Sequence, residues 1–524
     1  MASLHSLTLF FIILSCQSEL HSALKILGIF PLTSSSHFLM YGGLMKELAR
    51  RGHKVDVIGM FPQKKPIPNY KDINIKAHGP FFLANNMTYN EALEFRGLCV
   101  EHLLRICGTD ACESLNNPNV QKVLKAKKGA YDVIIVELGF ADCYIAIGQH
   151  LNAPVVGIIS LTAVDWLLNP FGNSMNPSYI PSTFAHSSQY MTFWERLSNT
   201  LITHMVESQI RYHMDRQLEY VEKHFGRRLG TMKELYDEVS LVLINEHFSV
   251  NDIRPTTPDF IQVGGLHVAN GDQQLSPDLQ KWLDESTHGC VYFTFGSMVH
   301  FETSPEKLVR AFYEMFERIA PVRALIKVRY PETLLPGLPK NVKSAPWMPQ
   351  VAILQHPNVK LFITHGGLMG TQEAIVYKVP MVGIPFFVDQ PKNLASYVSK
   401  KIAICLDLDN ITGDILTNAV KTVLNDPSYK KNVEKLSELF LDRPMSAMDT
   451  AVYWVEYVAR HRPILKSPAL KLTWWQLHLL DIYGFLTICL IIVLYIIRKI
   501  IMLLMRMILP GKNPKEISTS KKHE

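Results

Sequence analysis

The chain has 524 residues, 48% of them hydrophobic, and a formal charge of +6. That length accommodates more than one buried core, and that composition excludes a disordered or collagen-like chain. Seven Lys or Arg and only two Glu lie between Arg498 and Glu524. The excess charge therefore belongs to a tail and not to a nucleic-acid-binding face.

Leu7 to Leu14 is apolar but too short to span a bilayer, and small residues follow it. Residues 1–23 read as a secretory signal peptide. Leu24 to Phe30 then fits a buried parallel strand, Pro31 to His37 a loop, and Met40, Leu44 and Leu48 one face of a helix stopped by Gly52. Strands follow at Lys54 to Met60, Tyr131 to Val136 and Val155 to Ile159, and a long amphipathic stretch at Ser187 to Tyr220. The pattern breaks at Gly264-Gly265 and a polar run. It restarts with strands at Cys290 to Phe295, Ala324 to Val328, Leu361 to Thr364, Met381 to Ile384 and Ile402 to Leu408, and helices from Pro427 to Arg460 close it. Two α/β halves, residues 24–275 and 276–465, are expected to be Rossmann-like domains facing across a cleft.

Ile482 to Ile497 carries no charge, is preceded by Trp474 and Trp475, and ends at Arg498 and Lys499. Residues 474–499 therefore read as a single membrane span, followed by a basic cytosolic tail over 500–524. The body would then be lumenal, in a type I arrangement. Lys521 and Lys522 resemble a di-lysine retrieval signal, which points to the endoplasmic reticulum. In that lumen the sequons at Asn86 and Asn410 are glycosylation candidates. The cysteines show no disulfide framework, although a bridge among Cys99, Cys107 and Cys112 is compatible with their spacing.

The most specific stretch runs from Trp347 to Gln390. Leu361 to Thr364 is a strand feeding His365-Gly366-Gly367 and a helix. Unpaired N–H groups at such a helix start attract a diphosphate, and glycines let it approach. His365 adds a donor, Glu373 can accept from ribose hydroxyls, and Trp347 can stack a base. Asp389 and Gln390, expected at the end of the next strand, suit sugar hydroxyls. In the first half, His37 follows Ser34-Ser35-Ser36, and a neutral imidazole is the ordinary base for activating a hydroxyl. The Pro31 to His37 loop contains no glycine, which excludes a dinucleotide-binding GxGxxG turn.

This stretch resembles the signature of the UDP-glycosyltransferase family, in detail its insect branch. The likeness extends over nearly the whole chain, including Asp442-Arg443-Pro444 and the terminal anchor. It implies a GT-B fold and donor contacts from Ser297, Trp347, Gln350, His365, Gly367, Glu373, Asp389 and Gln390. It also implies that His37 is the base, with no metal required and an inverted, β-linked product. The carboxylate supporting His37 is Glu137 by register with vertebrate members. Alternatively it is Asp142, which the Asp142-Cys143 pair of insect-type members favours. Met369 departs from the family, which has Asn there, and removes one phosphate donor, so a non-catalytic UDP-sugar-binding scaffold is the second reading.

Vertebrate glucuronosyl members carry Arg in the segment matching Leu243-Ile244-Asn245-Glu246. This chain has none there, so UDP-glucose fits better than UDP-glucuronate, with Lys327 the cation that could reverse this. The acceptor is expected to be small and lipophilic, held by Phe81 to Ala111 and Asn169 to Tyr190. Homo- or hetero-oligomers are compatible with such a fold.

Overall fold

The computed structural model describes residues 23–75, 87–96, 100–251, 253–268, 274–462 and 466–508. The signal-peptide segment, Asn86, Cys99, Lys521 and Lys522 lie outside the described residues, as does part of Phe81 to Ala111. The chain forms two compact units, one ending at Lys466 and one beginning at Ser467.

The first unit contains two wholly parallel sheets. In chain order the first comprises β1 (Lys25–Phe30), β2 (Lys54–Gly59), β3 (Tyr70–Asn74), β4 (Val133–Glu137), β5 (Val155–Ile159), β6 (Val239–Ile244) and β7 (Phe260–Gln262). Their spatial order is β3-β2-β1-β4-β5-β6-β7. The second comprises β8 (Cys290–Thr294), β9 (Arg323–Lys327), β10 (Val342–Ala345), β11 (Val359–Thr364), β12 (Met381–Gly383) and β13 (Ala403–Cys405). Their order is β10-β9-β8-β11-β12-β13. In each sheet the order reverses between the first strand and its later neighbour, β1 beside β4 and β8 beside β11. Crevices at such reversals are where open α/β sheets hold ligands.

The central strands β1, β4, β5, β6 and β8 are apolar on both faces because helices cover both. Ile26, Val133 and Ile135 point into one cluster, and Leu27, Ile134 and Val136 into the opposite one. The latter takes Val206, Ile210, Met214 and Val221 from the long helix Phe193–Phe225. Ala447–His461 follows the second sheet in the chain but packs on the first. Its Met448, Ala451, Val452, Val455 and Val458 recur at three- and four-residue spacing and share the cluster of Ile26 and Val133. Each fully buried Val contributes about 1.5–3 kcal/mol. Conversely, Met87, Tyr89 and Phe95 precede most of the first sheet yet join the core of the second.

Three short strands, β3, β7 and β10, are absent from the sequence expectation, as is β6. Of the cysteines whose spacing is compatible with a bridge, Cys112 pairs instead with Cys143 and Cys107 is a free thiol, while Cys99 lies outside the described residues. The Cys112–Cys143 disulfide ties the helical segment after residue 100 to the loop following β4.

In the second unit, Trp474–Leu477 is a short helix and Leu480–Ile508 a continuous one of 29 residues. The latter is long and apolar enough to cross a membrane. It runs past Arg498 and Lys499, where the span was expected to stop. Arg and Lys are good helix formers, so they end the apolar stretch without ending the helix.

Candidate functional site

His37 lies in the first turn of α1 (Ser35–Arg50), not in a loop. The serine run looks loop-like in composition, but Ser34 has the extended backbone of a helix N-cap. His37 Nδ1 is 2.9 Å from Glu137 Oε1, the last residue of β4. Tyr41, one turn further along α1, donates to the same oxygen at 3.1 Å. The Glu137 side chain is 4% exposed and that of His37 20%, so the acid is sealed while the base keeps an open edge.

Asp142, the favoured partner in the sequence reading, does not meet His37. It is fully buried, accepting from the Gly139 amide at 2.8 Å and from the Tyr236 hydroxyl. Burial raises its carboxyl to about 6 against those two hydrogen bonds. Its position five residues past the end of the strand aims it inward, whereas Glu137 ends the strand that borders β1.

On the other half, β8 and β11 deliver Gly296-Ser297 and His365-Gly366-Gly367 to one place. The His365 ring lies between two glycines: a Cβ on Gly296 or on Gly367 would come within 2.5 Å of it. Burial, reinforced by the Lys327 charge, lowers His365 to about 4, so the ring is neutral near pH 7. Among the described residues its buried Nδ1 has no hydrogen-bond partner. Gly366 has φ +87° and lies against Leu394, which admits no larger residue. Gly367 is the N-cap of α2 (Leu368–Val376), a position that offers no side-chain hydrogen bond to the helix start.

Trp347 is 68% exposed, so it is no core residue. Lys327 Nζ stands 5.5 Å from its ring centroid and 3.1 Å from the Gly296 carbonyl. Burial lowers the Lys327 ammonium from its usual range, with Arg329 adding to the effect. Gln350 donates to Glu373 Oε2 at 2.6 Å and accepts from the Tyr292 hydroxyl at 3.3 Å. Glu373 Oε1 is 3.4 Å from His267 Nε2.

Asp389 and Gln390 lie at the start of α3 (Gln390–Ser399), several residues beyond β12. The preceding Val388 has φ +58°, a strained value for a β-branched residue. Asn393 donates to Asp389 Oδ2 at 2.7 Å, and the Phe386 and Phe387 amides donate to Gln390 Oε1. Burial raises the Asp389 carboxyl, opposed first by the Asn393 bond and further by the charge of His37.

A model described as UDP-glucoronosyl and UDP-glucosyl transferase matches residues 85–515. The chain belongs to the UDP-glycosyltransferase family. It is 36% identical over 485 residues to UDP-glucosyltransferase 2 of Dactylopius coccus, covering 91% of this chain and 92% of that one. It is 30% identical over 493 residues to UDP-glucuronosyltransferase 2A2 of Homo sapiens, covering 89% of each. Among solved structures, Phytolacca americana UGT2 complexed with UDP-2fluoro-glucose and pterostilbene aligns with a TM-score of 0.55 at 16% identity. That alignment covers 84% of this chain and all of the other, and such neighbours share its GT-B fold.

In this UDP-glycosyltransferase every expected donor residue lies at or beside the β8/β11 crevice or on α3, and His37 lies at the β1/β4 crevice. Sequence reasoning missed Tyr41, Gly296, His267 and Asn393. Of these, Asn393 and Tyr41 had a signal: each falls one helical turn after a residue singled out in the sequence, Asp389 and His37.

Proposed function

We propose that the chain is an inverting glucosyltransferase that moves glucose from UDP-glucose to a hydroxyl of a small lipophilic acceptor. The observation that carries this is the His37–Glu137 hydrogen bond, which leaves the other edge of the imidazole open. Glu137 holds the proton on Nδ1, so Nε2 can take the acceptor's proton as its oxygen attacks the anomeric carbon. The bond from that carbon to the UDP oxygen breaks as the new one forms. The amides at the start of α2 and neutral His365 stabilise the departing diphosphate. Gln350 and Glu373 hold the ribose, Trp347 stacks on the base, Ser297 adds a phosphate contact, and Asp389 and Gln390 orient the sugar.

A neutral sugar is supported by what surrounds Asn245. Its amide donates to the Ser160 carbonyl, and Arg254, the nearby cation, is committed to Glu246 by two contacts of 2.9 Å. UDP-glucuronate is the second reading. Lys327, beside Trp347, and Lys392, buried three residues after Asp389, are the cations near the donor residues.

The helix Leu480–Ile508 would anchor the enzyme in the endoplasmic reticulum membrane with its body in the lumen. There the exposed Asn410 is a glycosylation site. The test is a microsomal assay with phenolic acceptors and each donor, alongside His37→Ala. Glucoside formation abolished in the variant supports the reading. Glucuronide formation moves the weight to UDP-glucuronate and to Lys327 or Lys392 as its cation, and UDP binding without product to a scaffold.

A further inference from the structure

We infer that Tyr41 is a positioning residue of the base, its hydroxyl holding Glu137 in the rotamer that orients His37; this rests on the proposed role of His37. The direction of the hydrogen bonds carries it. The Ser160 amide can only donate, and it donates to the Tyr41 oxygen at 2.9 Å. The Tyr41 proton is thereby turned to Glu137 Oε1, at 3.1 Å. That same oxygen receives His37 Nδ1 at 2.9 Å. One carboxylate oxygen thus takes two donors, both from the same face of α1, and neither can shift without disturbing the other.

Tyr41 is itself immobilised. It is 1% exposed, and its ring stacks on Phe30 with centroids 4.9 Å apart. Ser160 is held in turn, its carbonyl receiving Asn245 Nδ2 at 2.7 Å. The Asn245 carbonyl receives the Gln372 amide from α2 at 3.3 Å. The tyrosine therefore links the base to the framework of the donor half. A phenol in this place remains protonated, because burial and the charge of Glu137 both raise it well above its ordinary range.

Several other groups face the network. Asp142 and Cys107 each act electrostatically with Glu137, and Asp389 acts with His37 from α3. Among the described residues none of these three hydrogen-bonds to Glu137, whereas Tyr41 does, as a neutral donor that offsets its charge. Loss of that donor leaves more negative charge toward the imidazolium, which then keeps its proton to higher pH.

The experiment compares the pH dependence of kcat/KM for the full-length enzyme in microsomes with that of Tyr41→Phe, which keeps the ring and its stacking. Incorporation of 3-fluorotyrosine at position 41 gives a stronger donor, and His37→Ala is the control. In Tyr41→Phe, kcat is expected to fall about tenfold, with donor KM and calorimetric UDP binding unchanged. Its acid limb should move up by roughly half a unit to one unit, and that of the fluorinated protein should move down. A wild-type limb in both, with His37→Ala inactive, overturns the role of Tyr41 and leaves the base intact. Activity retained in His37→Ala overturns the base itself, and the inference with it.

Discussion

Gly296 makes room for His365: a Cβ added to the glycine would stand 2.5 Å from the imidazole Cε1. The contact joins the turn after β8 to the turn after β11, and so ties two loops to one crevice. Gly296 also has φ +83°, where an L side chain is strained. Gly296→Ala is therefore expected to displace the ring and weaken calorimetric UDP binding about tenfold or more. Unchanged UDP binding in a folded variant would remove His365 from the donor site.

Glu137 and Asp142 separate cleanly by experiment. Glu137→Gln keeps the shape but lets an amide face Nδ1, which favours the wrong tautomer. A fall in kcat of roughly 10²- to 10⁴-fold is expected, with donor KM little changed. Asp142→Asn, remote from His37, is expected to keep kcat within a few fold. Steady-state kinetics on the two variants decides between the carboxylates, and the reverse pattern would restore Asp142.

Asp142 should instead be visible in the pH dependence of stability. Its folded carboxyl titrates at about 6 because it is buried, against roughly 3.9 in an unfolded chain. The fold therefore binds this proton more tightly than the unfolded chain does. The contribution is fully present below about pH 4 and is lost as pH rises through about 6. Thermal melts of Asp142→Asn between these values should fall less with rising pH than those of the wild type. Parallel curves would show that Asp142 titrates elsewhere.

The parts of this fold legible in the sequence are those with strong local signals. Val155 to Ile159 and the strand ending at Thr364 are apolar on both faces and bounded by turns, so their position follows from period and composition alone. The turn His365-Gly366-Gly367 was legible because its glycines do work that no other residue can. What was not legible depends on tertiary contact. β3 pairs along one edge through Tyr70–Asn74, a segment too polar to announce itself. His37 read as a loop residue because three serines precede it, and only the Ser34 backbone shows them to be a helix start. The choice of Glu137 over Asp142 turns on which residue ends the strand beside β1, a matter of register across about a hundred residues.

The Cys112–Cys143 bridge closes a loop of 31 residues beside the Phe140 and Cys143 backbone atoms that Gln217 holds. Constraining a loop of that length in the unfolded chain stabilises the fold by roughly 3–4 kcal/mol. Cys112→Ser combined with Cys143→Ser should lower the thermal midpoint by several degrees, with kcat at 25 °C nearly unchanged. Mass mapping under non-reducing conditions checks the pairing, and a Cys107 cross-link in its place would contradict it.

Met369 was expected to cost the site one phosphate donor, with Asn as its restoration. The structure gives the residue a different occupation. Its side chain is 9% exposed and belongs to the apolar cluster of Leu266, Met448 and Leu44, while its carbonyl accepts from His267 Nε2 at 3.1 Å. Asn at this position would bury an amide among apolar groups, a cost of about 1–3 kcal/mol. Met369→Asn is therefore expected to lower the thermal midpoint without tightening UDP binding. Calorimetry and a melt on the same preparation decide it. Tighter UDP binding at an unchanged midpoint would mean that the side chain reaches the phosphates after all, and that methionine there weakens the donor site.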